Sequence, residues 1–150
     1  MASKSHIRIE FTTNEINVST ATKLPTVGCG GECVFIGRTR PETHAVHGEL
    51  IALQYDWYED MARKELALIA DEAITEFSVR CIRITHNVGN VPVQAASVVV
   101  AVGSDHRDEA FRACRFLIDN LKIRVPIWKQ EQWKTETAWV SGEVLEQPAS

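Results

Sequence analysis

Positive charge is concentrated in one stretch of the sequence, residues 111–130. The whole chain carries a net charge of −4, from 16 Lys and Arg against 20 Asp and Glu. Within residues 111–130 one acid, Asp119, accompanies five basic residues, so this stretch carries +4 and the rest of the chain −8. Such a local excess has the electrostatics of a small-anion site, and an ordinary solvated helix face is the alternative. The basic residues are Arg112, Arg115, Lys122, Arg124 and Lys129.

Two of these residues, Lys122 and Lys129, lie on either side of Pro126. Because proline ends a helix, the lysines cannot share one helix face. They can reach a common pocket only through a turn. Turns and loops often carry site residues in this way, whereas two random surface lysines seldom need to converge.

Two further basic groups favour an anion site. Ser104 is a candidate helix N-cap, which would place His106 and Arg107 at a helix N-terminus, where free backbone N–H groups and the helix dipole attract phosphate. A capping serine with a solvated first turn is the alternative. Arg38 and Arg40 border a loop containing glycine and proline, from which a guanidinium can close over an anion.

The four cysteines do not form a recognisable metal motif. Cys29 and Cys33 have the spacing of half a zinc site, but no second ligand pair is evident. Cys81 and Cys114 fall on apolar faces of a predicted strand and a predicted helix, which indicates buried thiols. We therefore expect no metal and no disulfide.

The remaining clusters favour packing over chemistry. His44 and His47 are three residues apart in a polar loop and lack an evident third ligand. Trp128, Trp133 and Trp139 place amphipathic rings near the C-terminus, which is typical of a packing seam or an oligomer interface. A phosphate-binding P-loop, a dinucleotide-binding fingerprint and a Ser/His/Asp arrangement are all absent from the sequence.

The hydrophobic periodicity predicts an α+β domain with two main helices on a mixed or antiparallel sheet. We expect the strands 32–38 and 48–55 to pair with each other, and a weak helical turn at 15–18. Because Pro126 lacks an N–H donor, we place the last strand near a sheet edge. The predicted strands are 6–11, 32–38, 48–55, 79–86, 96–103 and 123–129, and the predicted helices are 58–77 and 104–122.

Length and composition predict a single domain over residues 1–150. The chain has 45% hydrophobic and 24% charged residues, which is typical of a globular protein. Residues 1–5 and 144–150 are expected to be flexible. No segment has the apolar length of a signal peptide or a membrane span, so we expect a cytosolic protein without membrane partners. The net negative charge argues against nucleic-acid binding.

Several segments, in the same order along the chain, resemble the large, catalytic subunits of molybdopterin synthase, the MoaE-like family. The likeness runs from about Val34 to Trp139. Its most specific element is K-x-x-x-P-x-W-K-x-E, from Lys122 to Glu131. The matching segments are Phe35–Arg40, Leu53–Tyr58 with Met61–Ala62, Ser104–Arg107 and Leu121–Glu131.

The resemblance implies an α/β hammerhead fold and a sulfurtransferase of molybdenum cofactor biosynthesis. In that family a small ubiquitin-like subunit inserts a C-terminal Gly-Gly thiocarboxylate into the large subunit. Two sulfurs then pass to cyclic pyranopterin monophosphate and form the dithiolene of molybdopterin. Two large subunits form a central dimer within a heterotetramer. The pterin phosphate is the substrate, and no cofactor is implied.

The resemblance also implies roles for individual residues. Lys122 and Lys129 match the two active-site lysines, the first lying beside the thiocarboxylate. Arg40, His106 and Arg107 match residues that line the pterin pocket. Arg38, which borders the loop after its strand, and Arg124, which belongs to the basic stretch, are secondary candidate site residues. A module that binds an anionic ligand or a partner's C-terminal tail without turnover is the alternative function.

The chain departs from the family pattern at two places. Family members often carry a Pro-Gly-Asp/Glu turn where this chain has residues 92–96, which affects the expected turn conformation. Bacterial members place an arginine shortly after the tryptophan that matches Trp139, and it reaches the neighbouring subunit's pocket. The matching stretch 140–143 has no arginine, and Lys134 is a candidate substitute.

Overall fold

The computed structural model describes residues 6–25, 28–135 and 137–139. The predicted α+β class with two main helices is confirmed. The expectation of flexible residues at 1–5 and 144–150 lies outside the described residues. Within the described part of the chain, no helix combines the length and apolarity that a membrane span requires. The elements are β1 (His6–Thr12), α1 (Val18–Ala21), β2 (Gly31–Arg38), β3 (Thr43–His44), β4 (Gly48–Trp57), α2 (Glu59–Phe77), β5 (Val79–Asn87), β6 (Asn90–Pro92), β7 (Ala96–Ser104), α3 (Arg107–Arg124), β8 (Ile127–Trp133) and β9 (Thr137–Trp139).

The first sheet has the strand order β1-β5-β7-β2. It is mixed, because β1 runs parallel to β5 while β5, β7 and β2 are antiparallel. The valine-rich strand β7 is buried on both faces: Val100 belongs to the main core beneath α2 and α3, and Val99 packs with Ile16 and Ala21 on the opposite face. The sheet is therefore covered by the two long helices on one side and by α1 on the other.

The second sheet is built around β4, which pairs with β8 along most of its length and with β6 over a shorter stretch. The strand β9 adds to the free side of β8. β9 pairs only with residues 130–132, so in the described part of the chain residues 127–129 pair with β4 alone and lie near a sheet edge, as predicted. The first residues of the predicted strand, 123 and 124, belong instead to the end of α3. Pro126 precedes β8 instead of lying within it, so its missing N–H removes no ladder hydrogen bond.

The long helices α2 and α3 follow the predicted apolar periodicity. Leu66 and Ile69 of α2 and Leu117 and Leu121 of α3 are fully buried in the shared core. The predicted N-cap of α3 is wrong, because Ser104 ends β7 and His106 occupies the cap position. The Ser104 hydroxyl donates instead to the carbonyl of His106 at 2.6 Å.

The predicted pairing of strands 32–38 and 48–55 is also wrong. β2 pairs with β7, and β4 pairs with β6 and β8, so the two neighbours in sequence belong to different sheets. Thr39, directly after β2, is buried and donates to the carbonyl of Val91 at 3.3 Å, which directs the chain from the first sheet toward the second. The helical turn expected at 15–18 lies slightly later, as α1, whose N-cap Asn17 accepts from the amide of Thr20 at 3.0 Å.

Candidate active site

Lys122 and Lys129 lie on either side of a tight junction between α3 and β8. The helix closes with a hydrogen bond from the amide of Val125 to the carbonyl of Leu121 at 3.1 Å. The carbonyl of Pro126 then accepts from the amide of Tyr58, at the start of α2, at 3.1 Å. Both ends of the turn are thus fixed by backbone hydrogen bonds. The charge of Lys129 acts on Lys122, so the two lysines lie near each other.

The electrostatic environment of Lys122 reflects this proximity. The side chain of Lys122 is half-buried, and this burial lowers its pKa below 10.5. The charge of Lys129 lowers that pKa further. The carboxylate of Asp119 opposes the shift. A like charge beside a partly desolvated ammonium favours the neutral amine. Lys122 therefore takes up the neutral form more readily than an ordinary surface lysine.

A buried aromatic pair lies below the two lysines. Tyr55 of β4 is directly opposite Lys129 of β8, and opposite residues in an antiparallel pair share one face of the sheet. The Tyr55 ring meets the ring of His86 edge-on, with centroids 5.4 Å apart. Burial first, and the charge of Lys122 in addition, lower the pKa of His86 to about 4, although its backbone hydrogen bond raises it. His86 is therefore neutral at physiological pH.

The protonated ring nitrogen of His86 can be assigned from its partner. Its Nδ1 lies 2.7 Å from the carbonyl oxygen of Asn87, and a carbonyl can only accept, so Nδ1 carries the proton. The Nε2 atom is then an acceptor. Tyr55 and His86 were not predicted as site residues, because each lies within a predicted strand, where a polar ring is an ordinary packing residue. The available signals were the place of Tyr55 in the matched segment Leu53–Tyr58 and a histidine near the end of β5.

The second basic group, His106 and Arg107, opens α3 and is exposed. The loop before it is held from two sides. Arg80 forms an ion pair with Asp105, and the amide of Gly30 donates to the carbonyl of Ser104 at 2.9 Å. Together these contacts fix the backbone of the loop that presents the two side chains.

Glycine makes the approach of the 28–31 segment possible. A Cβ atom on Gly30 would lie 2.0 Å from the carbonyl oxygen of Asp105, and one on Gly31 would lie 3.0 Å from the Cα of Arg107. A side chain at Gly30 would therefore displace the loop that carries His106 and Arg107.

The two basic groups do not meet within one chain. Arg107 begins α3 and Lys122 lies in its last turn, which separates their Cα atoms by about 22 Å along the helix axis at a rise of about 1.5 Å per residue. Neither side chain is long enough to bridge that distance. One copy of the chain therefore presents two basic groups at opposite ends of α3.

Arg38 and Arg40 lie at the end of β2. The Nη1 of Arg38 donates to the carbonyl of Gln94 at 3.0 Å, and Arg40 is 3.8 Å from Glu42 with an exposed side chain. Both arginines line a cavity of about 380 Å³ with Gln94. Arg38 also borders a cavity of about 570 Å³ beside α1, on the side of the first sheet away from α3.

The side chain of Arg124 does not lie where it was predicted, in the pocket with the other basic residues. Its guanidinium donates to the carboxylates of Glu65 and Glu72 on α2, so it joins the two long helices instead of lining a pocket. Lys134 is exposed and follows β8, roughly 16 Å along the strand from Lys129 at about 3.3 Å per residue. Its predicted role at a neighbouring subunit stays a prediction, and residues 140–143 lie outside the described part.

The described part of the chain contains no group of three or more His, Cys, Asp or Glu side chains that could hold a metal. Cys81 and Cys114 are buried, as predicted. The rings of His44 and His47 stack on each other with centroids 4.3 Å apart and pack against buried Trp133. This confirms the packing interpretation for Trp133.

Comparison with known proteins gives consistent matches. The family model described as "MoaE protein" matches residues 11–124. The Homo sapiens protein named "Molybdopterin synthase catalytic subunit" is 34% identical, over 91% of this chain and 72% of its own. The protein of the same name from Pyrococcus abyssi is 32% identical, over 93% of this chain and 94% of its own.

A crystal structure agrees with these sequence matches. Molybdopterin synthase from Staphylococcus aureus superimposes with a TM-score of 0.79 at 32% identity, over 87% of this chain and 95% of that one. The family model, over residues 11–124, covers β2, α2, β5, β7 and α3 and includes the candidate site residues up to Arg124, whereas Lys129 lies beyond its end. The chain therefore belongs to the MoaE protein family, the family of molybdopterin synthase catalytic subunits.

Proposed function

We propose that the chain transfers sulfur from the C-terminal thiocarboxylate of a small ubiquitin-like subunit to cyclic pyranopterin monophosphate, forming the dithiolene of molybdopterin. The observation that carries this proposal is the pair of lysines held around Pro126, one of them half-buried with a lowered pKa. The pterin is a substrate in this reaction, and the residues require no resident cofactor. We place the reaction in the cytosol.

The two lysines suit the chemistry at the thiocarboxylate. Attack on a carbonyl carbon places negative charge on its oxygen, and a nearby ammonium stabilises that charge. A lysine whose pKa is lowered can also accept or return a proton, because its neutral form is more accessible. Lys122, which is partly desolvated, suits the proton-transfer role, and Lys129 beside it supplies a fixed positive charge.

The pterin phosphate needs fixed donors, and His106 and Arg107 offer them at the N-terminus of α3. They lie about 22 Å along the helix from Lys122 in the same chain. We therefore propose that two copies form a dimer in which His106 and Arg107 of one copy face Lys122 and Lys129 of the other. With one small subunit at each far end, the assembly is a heterotetramer.

Substitution of Lys122 tests the chemical role. The variant Lys122→Ala, supplied with a thiocarboxylated small subunit and the pterin phosphate, should form no molybdopterin while keeping its Tm within a few degrees of the parent. Lys64→Ala, a change of the same type on the exposed side of α2, is the matched control and should retain full activity. Full activity in Lys122→Ala would overturn the assignment. Pterin binding without turnover in the parent would favour a non-catalytic binding module.

A mixing experiment tests the shared pocket. Lys122→Ala and a double variant lacking the His106 and Arg107 side chains should each be inactive. When the two variants are refolded together in equal amounts, half of the dimers contain one copy of each variant. Each of these mixed dimers contains one intact site. The mixture should then recover about a quarter of the parent activity. No recovery, with mixed dimers demonstrated by mass spectrometry, would show that each pocket is built from a single copy.

A further inference from the structure

Two cysteine thiols outside the lysine site are in contact across the first sheet. Cys29 precedes β2 and Cys81 is the third residue of β5, and their Sγ atoms are 3.9 Å apart. Neither cysteine forms a disulfide in the structure. The strand β7 runs between β2 and β5, so the two sulfurs meet over a strand to which neither belongs.

Gly103 of β7 provides the space for this contact. It pairs with Cys81 on one side and with Glu32 of β2 on the other. A Cβ atom on Gly103 would lie 2.7 Å from the Sγ of Cys81 and 2.8 Å from the Sγ of Cys29. Any larger residue at this position would push the sulfurs apart, because these distances are well inside van der Waals contact.

The two thiols differ in access. Cys81 is fully buried, whereas Cys29 is partly exposed and lies in the segment before β2. A reagent from solution can therefore reach Cys29 and cannot reach Cys81 directly. This arrangement of one accessible thiol and one buried thiol in contact is that of a redox-active pair, with an attacking and a resolving cysteine.

We propose that Cys29 and Cys81 form a reversible disulfide site whose reaction partner is a low-molecular-weight disulfide such as oxidised glutathione. The Cys29 thiolate attacks one sulfur of that disulfide, forms a mixed disulfide and expels a thiolate. The Cys81 thiolate then attacks the Cys29 sulfur and expels the second thiolate. The two protons lost by the cysteines are taken up by the two leaving thiolates. Overall, two protein thiols are oxidised and one small disulfide is reduced to two thiols.

The bridge would connect the two supports of the loop that carries His106 and Arg107. Cys29 is followed by Gly30, whose amide holds Ser104. Cys81 is preceded by Arg80, whose guanidinium holds Asp105. Disulfide formation therefore ties both anchors of this loop to each other. An effect of the bridge on pterin binding rests on the proposed function, whereas the bridge itself does not.

The other two cysteines supply an internal comparison. Cys33 lies near Cys114 on the side of the first sheet that α3 covers. Burial first, and the neighbouring Cys33 in addition, raise the pKa of Cys114 to about 12. The Cys33–Cys114 pair tests whether oxidation is specific to the two thiols that meet over Gly103.

The test uses the full chain in glutathione buffers that range from fully reduced to fully oxidised, followed by non-reducing peptide mapping by mass spectrometry. The parent should lose the mass of two hydrogen atoms, yield one cross-linked peptide pair containing Cys29 and Cys81, and revert with dithiothreitol. Cys29→Ser should yield no bridge, and the matched control Cys33→Ser should bridge like the parent. A stable mixed disulfide at Cys29, a Cys33–Cys114 bridge or no bridge in any buffer would each overturn the proposal.

Hydrogen exchange tests the link to the loop. Amide exchange in residues 104–107 should slow in the bridged protein and stay unchanged in Cys29→Ser under the same buffer. Unchanged exchange in a demonstrably bridged protein would overturn the coupling between the bridge and the loop. Because neither readout involves sulfur transfer, failure of the Lys122→Ala prediction would leave both results interpretable.

Discussion

Arg124 and Glu72 form a two-pronged hydrogen-bonded ion pair between the long helices, with Nη1 to Oε1 at 2.7 Å and Nη2 to Oε2 at 2.9 Å. The same guanidinium reaches Glu65 at 3.0 Å. Hydrogen bonds to Glu72 raise the pKa of Arg124 above its usual range, so the group is always charged. The end of α3 that carries Lys122 is thereby fastened to α2.

We expect Arg124→Leu to lower Tm by a few degrees, because the carboxylates of Glu65 and Glu72 on α2 lose their ion-pair partner. Sulfur transfer per folded molecule should be unchanged, since the side chain faces α2 and not the lysines. Thermal unfolding followed by circular dichroism, together with the sulfur-transfer assay, measures both effects. Lys64→Leu, at an exposed position of α2, is the control. A strong loss of activity at unchanged Tm would show that Arg124 acts in the active site.

The pKa of Lys122 should respond to its neighbour. Lys129 lowers that pKa through its charge, so Lys129→Gln should raise it. If the neutral amine of Lys122 is the active form, the acidic limb of the pH–rate profile, where activity rises as that amine loses its proton, should move to higher pH in any residual activity of the variant. Side-chain nitrogen NMR of labelled lysine gives the same shift without turnover. An unshifted Lys122 resonance would contradict the proximity of the two lysines.

Acid stability should depend on the pair Glu10 and Arg83. Burial raises the pKa of Glu10, but the hydrogen bond and charge of Arg83 outweigh it, and the folded-state pKa lies below 4.5. The unfolded carboxyl therefore binds a proton more readily than the folded one. The pair stabilises the fold above about pH 4.5, and this contribution is lost as the pH falls through the folded-state pKa.

Substitution isolates this contribution. Glu10→Gln should lower the free energy of unfolding by about 1–2 kcal/mol near neutral pH, because it leaves the buried Arg83 without its carboxylate. The difference from the parent should shrink in acid. Urea unfolding at several pH values measures both. A constant difference across the pH range would show that packing, and not charge, accounts for the effect.

Gly30→Ala should disturb the end of α3 that carries His106 and Arg107. The added Cβ overlaps the carbonyl of Asp105, so the 104–107 loop must move. We expect pterin phosphate binding, measured by calorimetry, to weaken by about tenfold or more, as for a misplaced binding group. Gly28→Ala is the matched control: Gly28 has a positive φ of 97° but nothing within 4 Å of an added Cβ. It should cost about 1 kcal/mol of stability and leave binding unchanged.

The elements with strong local signals were predictable. α2 and α3 follow a clear apolar period, and β5 and β7 are rich in β-branched residues, so their positions agree with the sequence to within a few residues. The pairing of the strands was harder to predict from the sequence. β2 pairs with β7 and not with the nearby strand β4. This pairing depends on contacts between residues that are distant in sequence, which no local pattern contains.

The site was predictable in composition and not in arrangement. Lys122 and Lys129 converge because Pro126 ends the helix, which the sequence shows directly. Lys122 and His106 are far apart because α3 continues unbroken between them. The helix therefore separates residues that were predicted to line one pocket into two groups. Arg124 could not be assigned from its charge, because its carboxylate partners lie on a different helix.

The strand order β1-β5-β7-β2 also governs when this protein can fold during synthesis. β1 and β2 are made early, but each pairs with a strand from the second half of the chain. β1 can pair only after the ribosome has released β5, and β2 only after it has released β7, so both strands wait unpaired while the middle of the chain is made. Lys122 and Lys129 emerge later still. The two lysines are thus added after every strand of the first sheet has been made.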